Sequence, residues 1–155
     1  AYTWLFNGDG IRLKGAWFWW LFEERISKMI LGGWGVGLLI MGIIGKVKQA
    51  KNNWHFHWWL MGMIVYLLVF ATGNVKHDYY QIVLVPILCI FMALGIQFIF
   101  DHADSLFHKY VSRIAVLIIF IFILMFGWYQ ARDLFNINHP EIVEAGREFN
   151  RLVPS

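Results

Sequence analysis

Apolar residues in this chain come in four long runs, each closed by a short polar break. The runs over 26–45, 54–72, 79–100 and 114–130 are near the length of about 20 residues that a helix needs to cross the hydrocarbon core of a bilayer. They predict four membrane-spanning helices. Ahead of the first lies Ala16-Trp17-Phe18-Trp19-Trp20-Leu21-Phe22, followed at once by Glu23-Glu24-Arg25. This aromatic cluster is too short to span and ends in charge. It predicts a helix lying in the interface, with Glu24 and Lys28 spaced for an i,i+4 ion pair. After the last run, Asn138-His139-Pro140-Glu141 reads as a helix start, with proline at the first helical position and an acidic first turn. Ile142, Ala145, Phe149 and Leu152 then line one face of an amphipathic helix, which lies on the membrane or begins a further domain. The expected fold is all-α and integral to the membrane. It comprises an outer loop and interfacial helix over 1–25, a four-span region over 26–130 and the start of an extracytoplasmic segment over 131–155.

Detail within the runs sharpens this picture. Leu31-Gly32-Gly33-Trp34-Gly35-Val36-Gly37 superficially suggests a nucleotide loop, but no strand precedes it and no acidic residue follows at the right distance. Gly33 and Gly37 are instead four apart, the spacing that lets a second helix approach closely on one face. Pro86 falls in the third turn of the third run, where it removes a hydrogen bond to the Ile82 carbonyl and predicts a kink. The break at 46–53 carries Lys46, Lys48 and Lys51 without an acidic residue, so the positive-inside rule makes it cytoplasmic. That orientation puts the 101–113 loop inside as well. The interfacial helix, the 76–81 hinge and the tail then lie outside.

Composition agrees with a membrane protein. Apolar residues make up 59% and charged ones 15%, well below the charge of ordinary soluble domains. A net charge of +3, scattered along the chain, excludes a nucleic-acid partner. Cys89 is alone, so no intrachain disulfide can form. No metal site is expected. His55 and His57 are two apart and face different sides of a helix, which fits an aromatic interfacial belt, and Asp101, His102, Asp104 and His108 read as a solvated loop. The chain opens without a secretory signal and without Met, which predicts a processed chain or a piece of a longer one. Nothing in the residues assigns a cofactor.

The chemistry concentrates in Gly73-Asn74-Val75-Lys76-His77-Asp78-Tyr79-Tyr80-Gln81, a polar hinge at the mouth of the third run. Asp78 with Gln81 three residues later is a helix-start signature: the carboxylate accepts first-turn amides and the glutamine reaches back. A helix starting here presents its positive end beside Lys76 and His77, a seat for a lipid phosphate that Tyr79 and Tyr80 would also line. The plainer account is that Lys76 snorkels, the tyrosines sit at head-group level and Asp78 only caps.

This stretch, with the Pro86 helix after it, resembles a segment of multi-span GT-C glycosyltransferases of the protein O-mannosyltransferase and aminoarabinose-transferase type. Leu31-Gly32-Gly33-Trp34-Gly35 after Phe22-Glu23-Glu24-Arg25 is similar to the preceding part of prokaryotic members, and Glu144-Ala145-Gly146-Arg147-Glu148-Phe149 resembles the helix opening their extracytoplasmic domain. The resemblance implies an inverting enzyme in a prokaryotic plasma membrane that uses a polyprenyl-phosphate sugar donor on the outer face. It carries over Lys76, His77, Tyr79 and Tyr80 as phosphate-proximal positions, leaving Asp78 and Gln81 to cap the helix. The family's acidic catalytic base lies in an earlier outer loop. Asp9 has no span before it and does not fit that position, so no catalytic residue is assigned. The expected partners are the bilayer, the donor lipid and the remaining N-terminal part of the same enzyme. Two rivals stand beside this reading: a non-catalytic lipid-binding or transport module, and a small membrane assembly subunit docking through Gly33 and Gly37.

Overall fold

A computed structural model describes residues 3–45, 54–103, 108–135 and 140–152. Among them every element is helical and no strand forms, as an all-α membrane protein requires. Two helices, Tyr79–Asp101 and Tyr110–Arg132, are long and apolar enough to cross a membrane, and a third crossing results if a bent pair acts as one span. Two or three such helices fit a multi-pass membrane protein.

The bent pair stands where a straight first span was expected. The first helix, α1 (Gly15–Ile30), meets α2 (Gly35–Ile44) at 107°. The break has a local cause. Gly32 and Gly33 adopt φ of 57° and 69°, a left-handed conformation that costs a glycine least. The amides of the break stay bonded: Gly33 N–H reaches the Ser27 carbonyl at 2.7 Å and Gly35 N–H that of Leu31 at 3.0 Å. At about 1.5 Å per residue, α2 covers only half of a hydrocarbon core by itself. Residues 26–45 therefore form no single straight crossing.

Within α1 the buried side chains are Trp17, Leu21 and Ile26, with Leu31 just after it. Their spacing of four, five and five exceeds the α-helical period of about 3.6 residues. From Trp19 onward the turns are wider, and Leu31 N–H bonds the carbonyl of Ile26, five residues back. The expected Glu24–Lys28 pair forms at 2.6 Å on the polar face.

The second expected span, 54–72, is realised as α3 (Trp54–Val69) and a short α4 (Ala71–Lys76), divided at Phe70. After His77, a 3₁₀ segment over Asp78–Leu84 leads directly into α5 (Val85–Asp101). Pro86 stands in the first turn of α5, where its missing N–H has no intrahelical duty. It marks the change from 3₁₀ to α geometry near the start of the third run, where a kink is expected. The fourth run extends beyond 114–130 in both directions as α6 (Lys109–Phe135), and the tail forms α7 (Pro140–Leu152), while the expected cap residues before Pro140 lie outside the described residues.

Packing centres on two contacts. The first joins α2 and α5, which run in the same direction: Gly35 lies beside Met92 and Gly45 beside Phe98. At their crossing a Cβ on Gly42 would strike the Phe91 carbonyl oxygen, and one on Gly95 that of Leu38. Close approach by small residues is thus present, at Gly42 and Gly95. The expected pair Gly33 and Gly37 does not share a helix face, because Gly33 lies in the turn, and a Cβ on Gly37 would meet nothing within 4 Å. The second contact is a core of Trp17, Leu21, Ile26, Leu31, Leu67, Ala71, Leu84 and Leu88, which ties α1 to α3, α4 and α5. Helix α3 opposes α5, with the His57 ring on Phe91 and the Tyr66 hydroxyl on the Tyr80 carbonyl. Helix α6 attaches where Gly32 meets the Ile123 backbone and Trp34 stacks on Phe122. Much of its apolar surface remains exposed, as does all of α7.

The 46–53 loop lies outside the described residues, but its flank is placed. Gly45 stands beside Phe98, so that loop leaves from the end of the molecule where α5 finishes. Residues 70–84 and the N-terminal turns gather at the opposite end.

The Gly42 crossing makes a stability prediction. Gly42→Val should lower unfolding free energy in micelles by about 1–3 kcal/mol, the usual cost of overpacking. Gly62→Val, where a Cβ meets nothing within 4 Å, should change it by less than about 0.5 kcal/mol. Denaturant titration followed by circular dichroism measures both.

Candidate functional site

The hinge is built around α4, a six-residue helix whose Ala71, Thr72, Gly73 and Asn74 are all buried. It is short because the chain breaks on both sides of it. Phe70 leaves helical geometry at φ −93° and ψ 40°, and His77 is extended at φ −136° and ψ 114°. Each break frees backbone groups that an apolar surrounding leaves without water, at a cost of several kcal/mol if unpaired. The Asn74 backbone N–H reaches the Phe70 carbonyl at 3.0 Å, and side chains from α4 itself and from other elements add partners. Asn74 Nδ2 donates to the Phe70 carbonyl at 2.9 Å, and the Trp17 indole N–H donates to that of Ala71 at 3.2 Å. Gln81 Nε2 donates to the Asn74 carbonyl at 2.6 Å, and the Tyr66 hydroxyl to that of Tyr80 at 3.1 Å. The Gly8 amide donates to Thr72 Oγ1 at 2.7 Å, pinning the N-terminal turns onto α4.

The expected site residues divide into an outer and an inner group. Lys76 ends α4 and is exposed. The rings of His77, Tyr79 and Tyr80 form a contiguous cluster, with centroids 5.2 Å apart for His77–Tyr79, 5.7 Å for His77–Tyr80 and 4.9 Å for Tyr79–Tyr80. Tyr79 is the exposed member, while Tyr80 leans toward Gly73. Gln81 is only 4% exposed and reaches farther back than a capping glutamine, to the last turn of α4. A helical segment does begin at Asp78, as 3₁₀ turns that no side chain caps at His77. The Asp78 side chain lies outside the described residues. Gly33 and Gly37 stand far along the chain from this cluster and border a separate cleft with Trp34 and Phe126.

Sequence reasoning passed over several contributors. Asn74 is fully buried, and its Oδ1 has no hydrogen-bond partner among the described residues. Thr72 and Asn74 interrupt an otherwise apolar run, a signal that the span did not end where its hydropathy did. Arg12 falls in the stretch read as an outer loop. Its segment, Gly8–Leu13, packs against α4, and Arg12 Nε is buried without a hydrogen-bond partner among the described residues. A second cation thus reaches the hinge end of the molecule through tertiary contact alone. Among the described residues no group of three or more His, Cys, Asp or Glu could hold a metal ion.

Gln81→Leu isolates the structural part of this cluster. Leaving the Asn74 carbonyl buried and unpaired should cost about 1–3 kcal/mol. Amide hydrogen exchange over 71–84 should then accelerate by the corresponding factor, with the far end of α5 unchanged.

The chain matches no protein-family model, no curated protein and no solved structure.

Proposed function

We propose that the chain is the C-terminal membrane part of a GT-C glycosyltransferase that takes sugar from a polyprenyl-phosphate donor on the extracytoplasmic face, with the donor phosphate at the hinge. In this reading the chain crosses four times, through the bent pair, through α3 with α4, through Tyr79–Asp101 and through Tyr110–Arg132, in the plasma membrane of a prokaryote. The loop 46–53 is cytoplasmic and the 76–81 hinge is outside. The observation that carries the proposal is the convergence of basic side chains on one end of a strongly apolar span: Lys76 at the end of α4, His77 within a ring cluster, and the Arg12 turn packed on the same short helix.

The chemistry follows from that convergence. A leaving lipid phosphate gathers negative charge as the glycosidic bond breaks, and charge-assisted donors facing it lower the barrier. Lys76 and, when protonated, His77 supply charge, and the phenols of Tyr79 and Tyr80 supply neutral donors. Activating the acceptor needs a base, and no residue of the hinge fills that role. The base belongs to the rest of the enzyme, in keeping with the resemblance.

In the full-length protein, Lys76→Ala should weaken donor-lipid binding and lower turnover by an amount on the order of 1.5–3 kcal/mol, the worth of a charge-assisted contact. His55→Ala and His57→Ala should leave donor affinity unchanged, since His57 packs on Phe91 and its Nε2 lies 2.9 Å from the Ile43 carbonyl oxygen, away from the hinge. Transfer assays over a donor titration separate the two outcomes, and unchanged transfer by Lys76→Ala would reduce the hinge to an anchor.

A further inference from the structure

The bend between α1 and α2 opens a cleft of about 510 Å³ against α6, of a size that holds a small molecule. Its rim is polar, with Glu23, Ser27 and Lys28 from α1 and Gln130 from α6. Its walls are Trp34 and Phe126, and its floor is made by Gly32, Gly33 and Gly37. Trp34 is half exposed and fixed in orientation, since its other contact is a stack on Phe122 at 5.0 Å. The floor is open at Gly33 and Gly37, which bring no side chain, while Gly32 lies against the Ile123 backbone. A Cβ on Gly37 would meet nothing within 4 Å.

We propose that this cleft is a second binding site, for a neutral amphiphile whose head carries several hydroxyl groups, such as a glycolipid. Charge decides against a phosphate. Lys28 Nζ already lies 2.6 Å from Glu24 Oε1 and 3.7 Å from Glu23 Oε1, so two carboxylates offset the one ammonium beside the rim. The neighbouring cation, Arg25, lies over the Trp20 ring at 4.6 Å. An incoming anion meets excess negative charge, whereas hydroxyls find groups that both donate and accept in Ser27 and Gln130. The aromatic walls suit the apolar faces of a sugar ring and the start of an alkyl chain. The chain then continues along α6, where exposed Ile118, Met125 and Tyr129 share a stripe with Phe122, the ring on which Trp34 stacks. This site is opposite in character to the cationic hinge and does not depend on the donor reading.

The test uses the full chain in phosphatidylcholine nanodiscs with two photoactivatable probes of equal chain length, a dodecyl glucoside and a dodecyl phosphate. The glucoside should label peptides containing Trp34 and Phe126 about tenfold more strongly than the phosphate. Excess dodecyl maltoside should compete, and free maltose should not. Gly37→Leu fills the floor and should cut this labelling about tenfold, with circular dichroism and thermal midpoint unchanged; Lys76→Ala should leave it intact. Equal labelling by both heads would show bilayer partitioning only and overturn the proposal. So would full competition by maltose, which would make the occupant a soluble saccharide, or undiminished labelling of folded Gly37→Leu. If Gly37→Leu does not fold, Ser27→Ala with Gln130→Leu gives the same reading: loss of the preference for glucoside supports the site, and its survival overturns it.

Discussion

Every bend in this chain raises the same requirement: a backbone group turned out of a helix inside an apolar surrounding must find another partner. A hydrogen bond formed in folding nets about 1 kcal/mol, but a buried group left unpaired costs several times that. The asymmetry explains why the breaks at Phe70 and His77 sit where they do. The carbonyls of Phe70, Ala71, Asn74 and Tyr80 receive Asn74, Trp17, Gln81 and Tyr66, drawn from four different elements. Without those side chains, the ends of α4 keep only backbone bonds, Asn74 N–H to the Phe70 carbonyl and His77 N–H to that of Gly73. With them, the hinge is a bonded unit.

The break at 31–34 meets the same requirement differently. Its amides are bonded to nearby carbonyls of the same segment, and the geometry needed for that is the positive φ of Gly32 and Gly33. Gly32 is further constrained because a Cβ there would press on the Ile123 backbone of α6. One break is therefore held by distant side chains and the other by glycine. The first couples N-terminal turns, α1, α3 and α5 into one core. The second leaves room between α1, α2 and α6, and the cleft is the consequence.

What the sequence made legible follows from this difference. Long apolar runs, the Glu24–Lys28 pair and the tail helix depend on local pattern, and all three appear in the structure. The straight first span did not, because hydropathy averages over Gly32 and Gly33 and records no φ. The packing glycines proved to be Gly42 and Gly95, fifty-odd residues apart, a pairing that spacing within one helix cannot reveal. The wide turns of α1 leave no mark in hydropathy, so the spacing of its buried Trp17, Leu21 and Ile26 was not legible. At the hinge, the ring cluster of His77, Tyr79 and Tyr80 was visible as neighbours in sequence. The dependence on Trp17 and the approach of Arg12 were not, since both arise only when the N-terminal turns fold back on α4.

Helix α1 links the two regions where chemistry gathers. Its first turn carries Trp17, bonded to the Ala71 carbonyl at the hinge, and its last turns carry Glu23, Ser27 and Lys28 at the cleft. A helix transmits position along its axis at about 1.5 Å per residue with little give, and Leu21 and Ile26 bury the intervening face in the shared core. Anything that shifts Trp17 from Ala71 must therefore disturb the cleft rim, or else the helix must break between them. The wide turns from Trp19 onward are where such a break would be easiest, because their hydrogen bonds span five residues, a geometry less stable than the α-helix. Coupling between hinge and cleft thus rests on whether those turns hold when Trp17 is lost.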